Sequence, residues 1–565
     1  MKRPPAIAYS VEERPPPALL IATAVQHVGV IVMFLIYPLL VAKQGHLDAD
    51  EILSISQFGM LVLAVSVLLQ GLPAGPVGSR FLAPSIFTGV FLAPSLIAVK
   101  AGGMPLVWGM TIFAGLIEVV LSRLWSRLRT FAPPETAGLV MILIGIIIAL
   151  AALHLVLDHG ASQTVSAEDG VVAAVTLGVM IGLNVWNKGR LKLLCILVGA
   201  VAGYAASYAV GGITPNDFTF VLSRPVLAVP TLRHFSWALD WSMALPFAIS
   251  GLAAAMSASA VITTYQRLND ADWVRPEPSS LTRGLLGEGL SNIFAGALCT
   301  HGLTVSTANV GLVTATGVTS RVIAYAIAAV LAFLAFQPIV IGILTIMPGA
   351  VMAGVMIFTS SFILLGGINI ITSRPLDNRR ALVVGMGLLT FLFVTVAPTA
   401  FSNAPSWALP MVTSPLVLAT LVALALNAVF RIGARRVAEI AVDPAAADIT
   451  QIVRFVEKNA KIWSVREDLV VRASASAQQA VMSVIEHCSP NGPIKVVASY
   501  DEFDIVIQIS YFAPELMFAK EPPNRESAMV SLDAHRQLAG YLVARHADQV
   551  VKKIGESAIS LRFKH

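Results

Sequence analysis

Long apolar runs recur through the first three quarters of the chain. Each is near the length of about 20 residues that crosses a bilayer, and two further stretches, 78–99 and 302–317, are apolar but interrupted by Gly, Pro and small polar residues. Together they predict about fourteen elements of an all-α polytopic membrane protein. The uninterrupted runs lie near 18–42, 52–71, 103–125, 137–157, 170–187, 191–210, 241–265, 284–299, 322–342, 345–368, 381–399 and 409–430.

The two interrupted stretches are the third and tenth elements, so each is third in a block of seven. Gly78–Ser85 and Gly302–Gly311 each suggest a short extended run, then small residues and the start of a half-helix. Non-helical backbone at membrane depth survives only inside protein or along a cavity. Such paired interruptions indicate an inverted 7+7 repeat with a transport site. Ser85 and Asn309 are the predicted N-caps, which would aim backbone N–H groups at a substrate. The alternative is two short helices kinked by Pro and Gly.

Basic residues predict the orientation of the chain. They follow even-numbered elements, whereas loops such as Asp158–Gly170 have almost none. The positive-inside rule therefore predicts that both termini are cytoplasmic, in the inner membrane of a cell that has two. Residues 1–17 are polar and proline-rich, unlike a secretory signal. The basic residues are Arg123, Arg127, Arg129, Lys188, Arg190, Lys192, Arg267, Arg275, Arg374, Arg379, Arg380, Arg431, Arg435 and Arg436.

Charge divides the chain into two parts. Residues 441–565 hold 29 charged residues, whereas the first 440 hold 42. We therefore expect a membrane domain over 18–432 and a cytoplasmic domain over 437–565. The three scattered cysteines predict neither a disulfide scaffold nor a zinc site. The basic surplus lies in the membrane part, which points to cytoplasmic loops rather than to nucleic acid.

One motif resembles a known family. Asn309-Val-Gly311, with Thr316 and Gly317, is similar to the signature of nucleobase–ascorbate transporters, as are Gln26-His27 and the Gly78–Ser85 run. The resemblance implies a core of spans 1–4 and 8–11 that slides against a gate of spans 5–7 and 12–14, usually in a homodimer. It implies an elevator-type transporter of a purine such as xanthine or urate, or of uracil, and Gly317 is closer to the purine type.

The resemblance also implies a substrate site and one departure from the family pattern. Met256, or alternatively Ala255, stands where the family usually has a Glu, and Ala308 stands where it has a Glu or Gln, so the carboxylate linked to proton symport is missing. Weak proton coupling would then depend on His27, because histidine has an ordinary pKa near neutral pH, or transport would run down the substrate gradient alone. The implied substrate-binding residues are Phe81, Ala83, Ser85, Met256, Ser257, Ser259, Thr307, Ala308, Asn309 and Gly311, with Gln26, His27 and Glu288 as a polar network.

Three other ionisable residues occur in or beside the spans. Glu118, with Arg123 nearby, is expected at the cytoplasmic interface, and Glu288 is expected to have a structural role near the start of the ninth span. Arg80 precedes the first interrupted run. It would either lie at the cytoplasmic rim or compensate an anionic ligand.

The tail after residue 437 has the pattern of an α+β domain. We predict helices near 446–460, 465–488 and 532–552, a hairpin of 494–500 with 503–511, and a strand near 558–563. The helix that ends near His487 resembles the start of an anti-sigma-type histidine-kinase-like ATPase. Gln479 and Ser483 replace the Glu and Asn of that fold, and Tyr511-Phe-Ala-Pro514-Glu515 replaces its Asp-x-Gly-x-Gly loop. The resemblance thus implies a pseudo-ATPase. The alternative is an unrelated cap that stabilises a dimer.

These features favour a transporter of a small solute, with no cofactor or metal. An enzyme is disfavoured because the membrane part has no Ser/His/Asp set, metal cluster or phosphate loop. Two alternatives keep the same fold: a transporter of a small anion, and a ligand sensor that signals through the tail.

Overall fold

The computed structural model contains two compact units, Met1–Ala425 and Leu426–His565, here called the membrane unit and the C-terminal unit. Each is described by itself. The structure describes residues 3–5, 7–128, 134–157, 165–187, 191, 194–273, 276–372, 376–405, 408–430, 436–444, 450–463, 465, 467–501, 504–513, 537–543, 547–552 and 558–564. Several residues used for orientation, such as Arg129, Arg190 and Arg435, lie outside these ranges, as do Pro514 and Glu515.

The membrane unit is mostly helical. Eight of its described helical stretches are long and apolar enough to cross a membrane, so the chain is a multi-pass membrane protein. The α-helices are α1 (Pro17–Met33), α2 (Ile36–Gln44), α3 (Ala49–Gly71), α4 (Leu92–Leu128), α5 (Pro134–Val156), α6 (Ala167–Trp186), α7 (Cys195–Ala209), α8 (Pro215–Leu222), α9 (Ala244–Asn269), α10 (Pro278–Ala297), α11 (Thr307–Thr316), α12 (Val322–Ala335), α13 (Pro338–Thr345), α14 (Gly349–Ile371), α15 (Asn378–Val396), α16 (Leu409–Val412) and α17 (Pro415–Phe430).

Two predicted single spans are broken. The run near 322–342 forms α12 and α13, which meet at an angle of 82°. Pro338 begins α13, and a proline there cannot donate the backbone hydrogen bond that would continue α12. The run near 409–430 divides into α16 and α17 at Ser414. Pro415 begins the second helix in the same way.

Two short strands lie inside the membrane unit, where the interrupted stretches predicted extended backbone. β1 (Ser85–Phe87) and β2 (Leu303–Val305) pair antiparallel, with Ser85 opposite Val305 and Phe87 opposite Leu303. All six strand residues are buried. The alternative of two kinked helices is therefore wrong, because each stretch contains a strand before its helix.

Glycines let helices of the membrane unit approach to backbone contact. A Cβ on Gly289 of α10 would lie 2.8 Å from the Val119 nitrogen and 2.9 Å from the Gly115 oxygen, both on α4. A Cβ on Gly138 of α5 would lie 2.5 Å from the Gly367 oxygen of α14. Small residues of this kind allow close packing between transmembrane helices. The backbone of α10 therefore contacts the backbone of α4 at Gly289.

The N-terminal segment packs against the membrane unit. Ala8 donates its backbone N–H to the Gly317 oxygen (2.7 Å), and Thr319 donates to the Tyr9 oxygen (2.9 Å). Arg321 in turn donates to the Val11 oxygen (3.1 Å). Ile7 and Val11 are buried. This segment is therefore bonded to the turn that joins α11 to α12.

The C-terminal unit has a five-stranded antiparallel sheet in the order β3-β4-β5-β7-β6. Buried residues of the two helices and the sheet, including Val456, Val481 and Ile507, form its core. The elements are β3 (Arg436–Val442), α18 (Thr450–Ile462), α19 (Glu467–Cys488), β4 (Ile494–Tyr500), β5 (Asp504–Ser510), β6 (Gln549–Lys552) and β7 (Ala558–Lys564).

The sequence interpretation of this unit contained two errors. Residues 549–552 form strand β6 and not the end of a helix over 532–552; within that range the described helix covers 537–543. Strand β3 was missed, because its alternating run directly follows the last apolar span. The predicted hairpin is present as β4 and β5, with Val496 opposite Ile509.

The backbone contact between α4 and α10 makes Gly289 sensitive to the smallest substitution. We expect Gly289→Ala to lower the midpoint of thermal unfolding, because overpacking costs about 1–3 kcal/mol. Gly178→Ala in α6 is the matched control, since no atom lies within 4 Å of a Cβ there. Thermal unfolding of both purified variants measures the difference. Equal midpoints would show that the glycine contact is unimportant.

The C-terminal unit should not hydrolyse ATP. Gln479 cannot act as the catalytic base that Glu provides in the ATPase fold, and the Ser483 hydroxyl is bonded to the Gln479 carbonyl oxygen at 2.7 Å. A coupled assay for phosphate release with residues 437–565 should give the rate of the buffer alone. Turnover that depends on magnesium would contradict the pseudo-ATPase interpretation.

Candidate functional site

Each short strand leads into a helix that starts inside the membrane unit. After β1, a 3₁₀ turn forms at Gly89–Phe91. Thr88 is its N-cap, and the Thr88 hydroxyl accepts from the Val90 N–H at 3.2 Å. This turn continues into α4, which is broken at Gly103 (φ 74°). After β2, α11 begins with Ser306 as its N-cap, and the Ser306 hydroxyl accepts from the Asn309 N–H at 3.1 Å. The predicted caps Ser85 and Asn309 are therefore wrong by three residues each, in opposite directions.

Asn309 joins α11 to α1. Its side-chain oxygen accepts from the Ser306 hydroxyl (2.6 Å), and its amide nitrogen lies 2.6 Å from Nδ1 of His27. Both side chains are fully buried. Since an amide nitrogen only donates, His27 Nδ1 is the acceptor and its Nε2 carries the proton. That N–H is buried and has no partner among the described residues.

One face of α11 is open. Thr307, Gly311 and Thr314 are exposed, and their spacing of four and three residues places them on one side of the helix. A Cβ on Gly311 would meet no atom within 4 Å. Ala308 is half-buried beside this face. The predicted residues Thr307, Ala308 and Gly311 thus lie together on or beside this face, and the buried Asn309, two residues after Thr307, lies on the opposite side of the helix.

Met256 faces other helices. It lines a cavity of about 10 Å³ together with Thr136 and Val140 of α5, and Thr420 and Leu424 of α17. That volume holds about one water molecule and no purine. The rest of the lining comes from α9 itself: Ile249, Leu252 and Ala253.

The other predicted residues of α9 and of the first interrupted stretch are buried or bonded within the protein. Ser257 is buried one residue after Met256. The Ser259 hydroxyl donates to the Met256 oxygen at 2.8 Å. Ser85 accepts from the Ser66 hydroxyl at 2.7 Å.

Phe81, in the loop before β1, contacts α9 away from Ser257. Its ring stacks on Tyr265, with the ring centroids 6.5 Å apart. Tyr265 is eight residues, or about 12 Å, along the helix from Ser257. Ala83 is buried two residues after Phe81. The predicted site residues therefore do not form a single cluster.

A cluster of acids and an amide, which the sequence interpretation missed, lies behind β2. The Asn292 amide nitrogen donates to both carboxylate oxygens of Glu118, at 3.1 and 2.8 Å. The same side chain bonds both the nitrogen (2.8 Å) and the oxygen (3.0 Å) of Leu303. Glu118 is fully buried, and the sequence interpretation did not predict its contact with α10.

Glu288 belongs to the same cluster. It precedes Asn292 by four residues on α10 and is fully buried. Its carboxyl group lies beside Thr304 and Val305 of β2 and within electrostatic range of Glu118. The contacts with β2 are too long or poorly aligned for strict hydrogen-bond geometry. In the sequence, this cluster is indicated only by the spacing of Glu288 and Asn292, because residues i and i+4 share a helix face.

Among the described residues no three His, Cys, Asp or Glu side chains lie close enough to hold a metal ion. The polar groups near β1 and β2 are instead hydrogen-bond donors and carboxyl groups.

Comparisons with known proteins agree with the motif. Residues 19–430 match a family described as the permease family. The xanthine permease XanP of Escherichia coli is 25% identical over 439 residues, which cover 75% of this chain and 94% of XanP. The uric acid permease PucK of Bacillus subtilis is 27% identical over 410 residues, which cover 70% of this chain and 92% of PucK.

Among solved structures, the murine anion transporter Slc26a9 in its inward-facing state is similar with a TM-score of 0.51 and 12% identity. The match covers 76% of this chain and 71% of that one, and it shows a shared fold alone. With the Asn309–Gly317 motif and the match over residues 19–430, the chain belongs to the xanthine/uracil permease, or nucleobase–ascorbate transporter, family.

Proposed function

We propose that the protein is a secondary transporter of a purine base of the xanthine or urate type. The observation that carries this proposal is the buried His27–Asn309 pair at the start of α11, because the Nε2–H of His27 has no partner among the described residues and can donate to a ligand. Carbonyl and ring-nitrogen acceptors of an oxidised purine match such a donor. The relatives named as xanthine and uric acid permeases support the same class of solute.

The proposed mechanism is an elevator movement in a 7+7 inverted repeat, with the chain as a homodimer. In this mechanism α9 moves with the core past α5 and α17 of the gate. The interface around Met256 suits such sliding, because Val140, Leu252 and Leu424 are apolar. Apolar contacts have no preferred direction and can be exchanged without breaking hydrogen bonds. An acid in place of Met256 would face the same apolar wall.

We further propose that proton coupling, if the protein has it, uses the Glu118–Glu288 pair. Two buried carboxylates repel each other, and a proton on either one relieves the repulsion. Asn292 connects this pair to the backbone of β2. A change of protonation would therefore reach the strand that leads into α11. This pair supplies the carboxyl groups that Met256 and Ala308 lack.

Asn309→Leu should weaken the binding of xanthine at least about tenfold, because it removes the bonds that hold His27 and Ser306. Losing hydrogen bonds of this kind costs about 1–3 kcal/mol each when a partner stays buried. Asn369→Leu, at an exposed position of α14, is the matched control. Isothermal titration of both purified variants with xanthine measures the effect.

A binding panel decides the class of solute. Xanthine, urate, uracil, bicarbonate and sulfate are compared by the thermal shift of the purified wild type. Purine binding that is unchanged in Asn309→Leu would contradict the site. Stabilisation by bicarbonate or sulfate, and by none of the three bases, would favour the alternative of an anion transporter.

In proteoliposomes an imposed pH gradient should drive uptake of xanthine against its own gradient. Glu118→Gln and Glu288→Gln should reduce this uptake to the level without a pH gradient, since Gln cannot exchange a proton. Exchange of labelled for unlabelled xanthine should persist in both variants, which separates loss of coupling from loss of folding. Glu168→Gln, at an exposed position of α6, is the control.

Two results would contradict this assignment. The coupling group would lie elsewhere if the pH gradient drove uptake equally well in Glu118→Gln and Glu288→Gln. His27 would then be the next residue to replace. Wild-type uptake that ignores the gradient would show transport down the substrate gradient alone.

A further inference from the structure

A cavity of about 440 Å³ lies at the end of the membrane unit where the N-terminal segment is bound. Its wall comes from that segment, the loop before β1, the last residue of α9, the first two turns of α10 with the preceding Glu277, and Arg321 just before α12. The volume is within the range of small-molecule sites, about 300–1,000 Å³. Phe81, one of the implied substrate-binding residues, lines this cavity, whereas Met256, His27 and Asn309 do not.

Two arginines in this cavity have no acidic partner. The Nε atoms of Arg80 and Arg283 are buried and make no hydrogen bond within the part of the chain that the structure describes. No ion pair to either side chain occurs among those residues. Guanidinium groups are always charged and offer five N–H donors each. A buried guanidinium nitrogen without a partner is costly unless a ligand supplies the missing acceptor.

The loop that carries Arg80 is fixed against α10. Gly78 donates its N–H to the Arg283 oxygen (2.9 Å), and the Ser280 hydroxyl donates to the Ser79 oxygen (2.9 Å). Arg80 itself has a φ of 70°, an unfavourable value for a residue with a side chain. Such strain persists where surrounding contacts enforce it, often at a binding site. The loop thus holds the two arginines on the same cavity.

The acids of the cavity wall do not neutralise this pair. Glu13 is bonded to Arg3 at 3.1 Å, and Glu12 is bonded to Arg321. Glu277 is exposed to solvent and accepts from the Ser279 hydroxyl. The Asn269 amide donates to the Tyr265 oxygen within α9. Its side-chain oxygen is therefore a buried acceptor, and it has no partner among the described residues.

We propose that this cavity binds a phosphate group through Arg80 and Arg283. The planar fork of each guanidinium matches the oxygens of a phosphate. The Asn269 oxygen would accept from a protonated phosphate oxygen. The phosphate belongs either to a soluble molecule or to the head group of an anionic lipid, and both offer the same oxygens to the arginines. The proposal is independent of which solute the protein transports.

The test uses the full-length protein in nanodiscs of phosphatidylcholine. Inorganic phosphate is the soluble probe, and chloride at equal ionic strength is the reference. A bound ligand raises the midpoint of thermal unfolding. We expect phosphate to raise it in the wild type, and Arg80→Gln and Arg283→Gln each to weaken binding at least about tenfold, since charged hydrogen bonds are worth about 1.5–3 kcal/mol. Arg267→Gln, an exposed arginine of α9 outside the cavity lining, is the control.

A second arm tests the lipid source. Nanodiscs that contain phosphatidylglycerol, without added phosphate, should stabilise the wild type and neither variant if the ligand is a lipid head group. Arg80→Lys and Arg283→Lys keep the positive charge but lack the planar guanidinium. They replace the Gln variants if size-exclusion chromatography shows that the Gln variants aggregate. The proposal is overturned if neither phosphate nor phosphatidylglycerol stabilises the wild type. It is equally overturned if the variants respond as the wild type does.

Discussion

Backbone hydrogen bonding inside the membrane is the constraint on which the rest of this structure depends. β1 and β2 lie where no water satisfies a free N–H or C=O, so each group needs a partner within the protein. The strands pair with each other, and the bonds continue on both sides: Ser306 donates to the Pro84 oxygen (2.8 Å) and Thr88 to the Gly302 oxygen (3.2 Å). Asn292 bonds the free edge of Leu303.

The glycines and the acids follow from that constraint. Asn292 reaches β2 only because α10 lies close behind it, at a distance set by backbone contact with α4 at Gly289. The same closeness brings Glu118 of α4 to the Asn292 amide. A structural requirement of the strand thus places a carboxyl group beside β2, the strand that leads into α11. The Asn292 side chain therefore both supports β2 and binds the Glu118 carboxylate.

The sequence predicted the features that are local in the chain. Interrupted apolar runs located both strands, and Asn309–Gly317 indicated the family. The caps were missed by three residues because Ser85, Thr88, Ser306 and Asn309 are all good capping types, and the choice depends on how far the strand pairing extends. The Glu118–Asn292 bond joins residues 174 positions apart. No pattern within one span could reveal it.

The bonded N-terminal segment has a consequence for how movement in this protein could be followed. Residues 7–13 are attached to the turn between α11 and α12, both of which belong to the proposed core. The start of the chain would then be carried by the core through the transport cycle. A spectroscopic label near Tyr9 would therefore report the position of the core from outside the hydrocarbon layer, without a probe in the substrate path.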